Sequence, residues 1–224
     1  MRLLGRTALL PVFLVLAPLA SSASEISLET DEDRTLYALG FALARTLKPL
    51  AFSERELEII VAGIRDSTLS HEPRIEVGQY AAKMRALSQT RKLVVAGFEK
   101  KEGTALVERM AKEAGAVRLP SGMVYRVIQE GSGESPSATD TVRVHYHGTL
   151  RDGNVFDSSL KRGPATFALN RVIKCWTEGV QKMKAGGKSL LTCPPDLAYG
   201  DRGQGGIPPG ATLMFEVELL EIVN

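Results

Sequence analysis

The groups able to do chemistry in the C-terminal half of this 224-residue sequence are mostly aromatic rings. Tyr146, Phe156, Trp176, Tyr199 and Phe215 fall on separate short strands and loops, the arrangement that builds a small apolar cavity. His145 and His147 share one strand face and could approach a metal, but no third ligand lies nearby, and a satisfied strand histidine is the simpler reading. Asp152, Asn154 and Asp157 lack the twelve-residue calcium-loop pattern, and Asp152-Gly153 reads as a turn. Ser158 and Ser159 have no positioned base in the sequence, so nucleophilic catalysis is not expected. These residues predict a site that needs no metal and no cofactor.

The elements that must hold the rings follow a two-residue period. Met123 to Gln129 and Thr141 to Leu150 alternate as strands, the Asp152-Gly153 turn returns the chain through Asn154-Val155-Phe156, and Leu213 to Ile222 supplies a closing strand. Val172 to Met183 is the one helical stretch there, so this half reads as an antiparallel sheet wrapped on one short helix. That fold class is α+β.

Upstream the period is helical. One helix puts Leu36, Gly40, Leu43 and Leu47 on a single face and is expected to end at Lys48-Pro49, because the residue before proline avoids the helical region. A second starts at a capping box, Ser53 through Glu56, and carries Leu57, Ile60 and Ile64. A third runs from about Glu76 to Ala114, which is about 58 Å at 1.5 Å per residue. Gly97 and Gly103 within it predict bending or fraying, and Gly115 a C-terminal cap. Two short amphipathic helices cannot hide their stripes against one long helix alone, so a homodimer through the N-terminal helices is expected, with a monomeric three-helix bundle as the alternative.

The N-terminal stretch reads as a signal peptide. Arg2 and Arg6 precede an apolar run from Ala8 to Ala20, and cleavage is expected near Ala23. The run is too short to span a bilayer and is broken by Pro11 and Pro18. The whole chain carries a formal charge of +2, and loss of the two arginines leaves the mature chain formally neutral. Nucleic acid is therefore not an expected partner. No later segment resembles a membrane span, and the expected location is the periplasm. The expected division is signal peptide 1–23, helical dimerisation region 24–75, long linking helix 76–118 and sheet module 119–224.

The motifs VHYHG, VFDSS, VI-two residues-W, LAYG and IPPGATLMFEVELL, in that order, closely resemble FKBP-type peptidyl-prolyl cis-trans isomerases over residues 119–223. YALGFALA, SERELEIIVAGIRD and the long polar helix resemble the dimerisation region of the macrophage infectivity potentiator-like, two-domain periplasmic branch. The resemblance implies Tyr199, Asp157, Ile173 and Phe156 as catalytic residues. It implies Tyr146, Val172, Trp176, Ile207 and Phe215 as substrate-binding residues, with Trp176 as floor and Ile207 closing the rim. Three departures stand out: Ala165 replaces a frequent aromatic, Cys175 and Cys193 replace a glycine and an aliphatic residue, and DRGQGG lacks the histidine of some single-domain members, with Gln204 nearest. The two cysteines are the whole complement and the expected compartment is oxidising, so a Cys175–Cys193 disulfide is expected, with buried thiols as the alternative.

The implied activity is isomerisation of Xaa-Pro bonds in unfolded or partly folded exported polypeptides, with rapamycin-type macrolides as inhibitors. The alternative is a dimeric periplasmic holdase chaperone that binds prolines and isomerises little.

Overall fold

The computed structural model describes residues 26–223, so the expected signal peptide lies outside the described residues. Two compact units meet in sequence at Gly40 and Phe41.

Helix α1 spans Asp31–Leu43 and starts on a reciprocal cap. The Thr30 hydroxyl accepts from the Asp33 amide at 3.0 Å, and the Asp33 carboxylate accepts from the Thr30 amide at 2.9 Å. The three acids of its first turn face the positive end of the helix dipole. The helix stops before the expected Lys48-Pro49 step, and the chain continues in 3-10 turns at Ala44–Thr46 and Lys48–Leu50. Proline fits that second turn, where a missing amide hydrogen costs no helical bond.

Helix α2 spans Glu54–Thr68, and the Ser53–Glu56 capping box is present as expected. Arg91 of the next helix ties down its start, pairing with Glu56, donating to the Ala51 carbonyl and covering the Phe52 ring. Helix α3 spans Ala81–Met110 after a 3-10 turn at Val77–Tyr80, shorter at both ends than the sequence pattern suggests. Gly115, with φ +74°, shapes the turn beyond the helix and does not cap it.

Helix α3 passes through Gly97 and Gly103 without interruption, and the two glycines differ in kind. Gly97 has open space around it, whereas a Cβ at Gly103 would overlap the Thr212 hydroxyl. Gly103 is therefore a site of close approach between helix and sheet module. Gly97→Ala is expected to stabilise the chain by about 0.5–1 kcal/mol, and Gly103→Ala to destabilise it by about 1–3 kcal/mol through overpacking. Thermal unfolding of the two variants checks both signs.

The sheet has seven strands, β1 Ala116–Arg118, β2 Val124–Gln129, β3 Thr141–Leu150, β4 Val155–Ser158, β5 Ala165–Ala168, β6 Lys188–Cys193 and β7 Leu213–Val223. Their order is β1-β2-β6-β7-β3-β4, with β5 also on β3, and every pairing is antiparallel. Alternation gives the sheet two faces. One packs Val142, Val144, Leu191, Leu213 and Val217 with α4, Lys174–Val180. The other receives Leu106, Val107 and Met110 of α3 against Val124, Leu190 and Met214. Gly179 lets α4 approach, since a Cβ there would stand 2.8 Å from Leu191. Glu99 grips Arg151 through two bonds of 2.9 and 3.1 Å, and Lys100 pairs with Asp201, so α3 is fastened to the module by charge as well as by packing.

Candidate active site

Strand β3 brings Tyr146 inward between His145 and His147, which its alternation turns the other way. Gly148, two residues on, faces Phe215 in register across β7. A Cβ at 148 would lie 2.7 Å from Phe156 and 3.0 Å from Phe215, so glycine leaves the space in which those rings meet edge to face, 5.4 Å apart. Trp176 is the hub of the cluster. Its indole meets Phe215 and Phe167 at 5.4 Å and Tyr146 at 5.5 Å, all near perpendicular. Such edge-on contacts add about 0.5–1.5 kcal/mol each beyond the area they bury.

These rings wall a cavity of about 470 Å³ lined by Tyr146, Phe156, Asp157, Phe167, Arg171, Val172, Ile173, Trp176, Tyr199, Gln204 and Phe215. Eight of the nine residues expected at the site thus converge on one hollow. Ile207 does not. It is buried in the module core and closes a two-residue reversal, with the Gln204 amide donating to its carbonyl at 3.1 Å and its own amide donating to Gln204 at 2.9 Å. That reversal leaves Gln204, not Ile207, on the cavity wall. Phe167 and Arg171 also line the cavity without having been expected there as site residues. The period-two spacing of Phe167 from Ala165 was the signal available for the first.

The polar side of the cavity centres on Asp157. The Tyr146 hydroxyl donates to its Oδ2 at 2.6 Å, while its Oδ1 accepts from Arg162 and, at 2.9 Å, from the Ser158 amide. Burial, and then the bond to the Asp157 carboxylate, pushes Tyr146 up to about 12, so its hydroxyl stays protonated at any physiological pH. Burial, and then the Asp157 charge, also raises Tyr199, whose hydroxyl has no hydrogen-bond partner among the described residues. Ile173 is the N-cap of α4, where helix geometry leaves amide hydrogens without an intrahelical acceptor. The Trp176 Nε1 donor is buried and has no acceptor among the described residues.

The serines depart from expectation. Register sets Ser158 opposite His147, and the Ser158 and Ser159 hydroxyls lie 3.2 and 3.1 Å from the Nδ1 atoms of His147 and His145. Ser159 is committed to the backbone of Tyr146, accepting from its amide at 2.8 Å and donating to its carbonyl. Neither serine lines the cavity. A second hollow of about 630 Å³ runs along α3 past Met84, Lys92, Leu93 and Asp201; it is more open and has no aromatic wall. The expected disulfide is present, joining Cys175 of α4 to Cys193 at the end of β6 with Cα atoms 5.7 Å apart.

The site is thus an aromatic hollow with a tyrosine–aspartate pair on its polar side. Residues 132–220 match the family model described as FKBP-type peptidyl-prolyl cis-trans isomerase, and residues 32–127 the model for the domain amino-terminal to it. The chain is 38% identical to the FKBP-type peptidyl-prolyl cis-trans isomerase FkpA of Escherichia coli, an alignment covering 92% of this chain and 81% of that one. It is 41% identical to the FKBP-type 22 kDa peptidyl-prolyl cis-trans isomerase of the same species, over 87% of this chain and 97% of that one. The crystal structure of Escherichia coli FkpA superposes with a TM-score of 0.65 at 35% identity, covering 88% of this chain and 98% of that one. The chain therefore belongs to the FKBP-type peptidyl-prolyl cis-trans isomerases, in the branch with an FKBP-type amino-terminal domain, and is an enzyme of that class.

Proposed function

We propose that this chain rotates Xaa-Pro bonds of exported polypeptides in the aromatic cavity, stabilising the twisted amide. The observation that carries this reading is the convergence of six aromatic side chains, drawn from separate elements, on one cavity with two donors that are unpaired among the described residues. Rotation costs about 18–20 kcal/mol because amide resonance is lost. Turnover near 1–1000 per second needs only about 3–7 kcal/mol of barrier lowering. The apolar wall removes water from the amide and so favours the twisted form, whose charge separation is smaller than that of the planar form. The Ile173 amide and the Tyr199 hydroxyl hold the rotated frame, and Phe156 and Asp157 shape the wall beside it. The remaining rings, with Val172, bind the proline. That is binding selective for the transition state. Rapamycin-type macrolides occupy the same cavity on this reading. Each donor is worth about 0.5–1.5 kcal/mol, so Tyr199→Phe is expected to lower kcat about three- to tenfold with little change in KM. A proline-peptide exchange assay showing unchanged kcat in that variant overturns the role.

The helical region to about residue 75 serves dimerisation, the segment 76–118 links it, and residues 119–224 form the catalytic module. Apolar side chains exposed on α2 and the first half of α3, among them Leu57, Ile64, Met84, Leu87 and Leu93, support a homodimer. Light scattering of the mature chain is expected to give twice the monomer mass; a monomer at micromolar concentration overturns it. The same exposed side chains favour, as a second reading, a holdase role for this region alongside catalysis. No helix among the described residues is long and apolar enough to cross a membrane. A periplasmic location rests on the signal-peptide pattern of residues 1–23.

A further inference from the structure

Two charged residues line the cavity, Asp157 and Arg171, and only one is neutralised. Both Asp157 oxygens are occupied, one by the Tyr146 hydroxyl and the other by Arg162. Arg171 sits on the wall beside Val172 and Ile173, exposed, and makes no ion pair or side-chain hydrogen bond among the described residues. The surroundings add positive charge. Lys174 follows Ile173 and Arg202 lies in the loop between Tyr199 and Gln204, both wall residues; each is exposed and has no ion pair among the described residues. The acid in that loop, Asp201, is engaged by Lys100 of α3. A chain seated with its proline on Trp176 and its neighbouring carbonyl toward the Ile173 amide must therefore pass an unscreened guanidinium.

We infer that the cavity discriminates by charge, favouring an acidic over a basic residue adjacent to the substrate proline, with Arg171 as the residue that sets this preference. The inference rests on the isomerase reading and adds its substrate class. Arginine suits the task because its planar guanidinium stays charged at all working pH and binds a carboxylate through two parallel bonds. A single charge at the water-exposed edge of a cavity is worth about three- to tenfold in rate at low salt, and screening over about 10 Å at 0.1 M salt reduces it.

The test measures kcat/KM of the full mature chain on matched proline peptides carrying glutamate, leucine or lysine immediately before the proline, and on a second set carrying them immediately after it. In at least one set the glutamate peptide is expected to exceed the lysine peptide about three- to tenfold at low salt. The ratio falls toward one as salt rises, reverses in Arg171→Glu and persists in Arg171→Lys. A glutamate-to-lysine ratio of one in both sets, or a ratio that Arg171→Glu leaves unchanged, overturns the charge preference and leaves isomerisation standing. No acceleration of any of the six peptides overturns the isomerase reading itself, and the preference with it.

Discussion

Asp157→Ala is expected to reduce kcat/KM for a proline peptide about ten- to fiftyfold, the largest loss from any single polar substitution in this cavity. The carboxylate does three things at once. It accepts the Tyr146 hydroxyl at 2.6 Å, holds Arg162 against the β4 edge, and accepts the Ser158 amide. Truncation leaves the hydroxyl of Tyr146, a residue only 7% exposed, without its acceptor. An unpaired buried hydroxyl costs about 1–3 kcal/mol, and the hydroxyl no longer anchors the ring against Trp176 and Phe167, its two edge-on neighbours. Each 1.36 kcal/mol of transition-state stabilisation lost is tenfold in rate, so an opened wall gives the stated range. Asp157→Asn separates geometry from charge. Its amide oxygen still accepts from Tyr146, but the pair with Arg162 is gone, and the expected loss is about threefold, since exposed ion pairs contribute little. Exchange assays on both variants, with melting temperatures alongside, decide the matter: an alanine variant within twofold of the parent sinks the wall-and-acceptor role of Asp157.

The cavity was legible in the sequence to the extent that strands dictate direction. Tyr146 and Phe215 lie on long alternating strands, where the two-residue period fixes which side chains face inward. Ile207 lies outside any strand, between Gly206 and Pro208, where no period operates, and its orientation is decided by a backbone reversal that only coordinates display. Arg171 escaped for the same reason, being in a 3-10 turn, and Gln204 was marked only as a departure in its loop. The helical half shows the complementary limit. The capping box fixed the start of α2 because it is a local, reciprocal pair of hydrogen bonds. Nothing local ends α1 at Leu43, and nothing local distinguishes Gly103 from Gly97. The difference between those glycines is a contact with Thr212, more than a hundred residues downstream.

Loss of the Cys175–Cys193 bond is expected to lower stability by about 3 kcal/mol, the chain-entropy effect of opening a loop of this length. For a chain of this size that corresponds to about 6–12 °C in melting temperature. The bond joins positions that matter to the site. Cys175 directly precedes Trp176 and lies two residues from Ile173, while Cys193 ends β6 just before the Pro194-Pro195 step that leads to Tyr199. Both cysteines are fully buried, so reductant reaches them only through opening of the module, and reduction is expected to track unfolding. The effect of the cross-link can be separated from that of side-chain volume. Fully reduced protein keeps both sulfur atoms in the core and should lose nearly the whole 3 kcal/mol, whereas Cys175→Ala/Cys193→Ala loses more, because truncation adds a small cavity. Activity of the refolded, reduced chain at low temperature should stay within about threefold of the oxidised form, because the edge-on contacts of Trp176 hold α4 in place without the bond. Equal melting temperatures for oxidised and verifiably reduced protein would show that packing between α4 and β6 alone sets the position of the cavity floor.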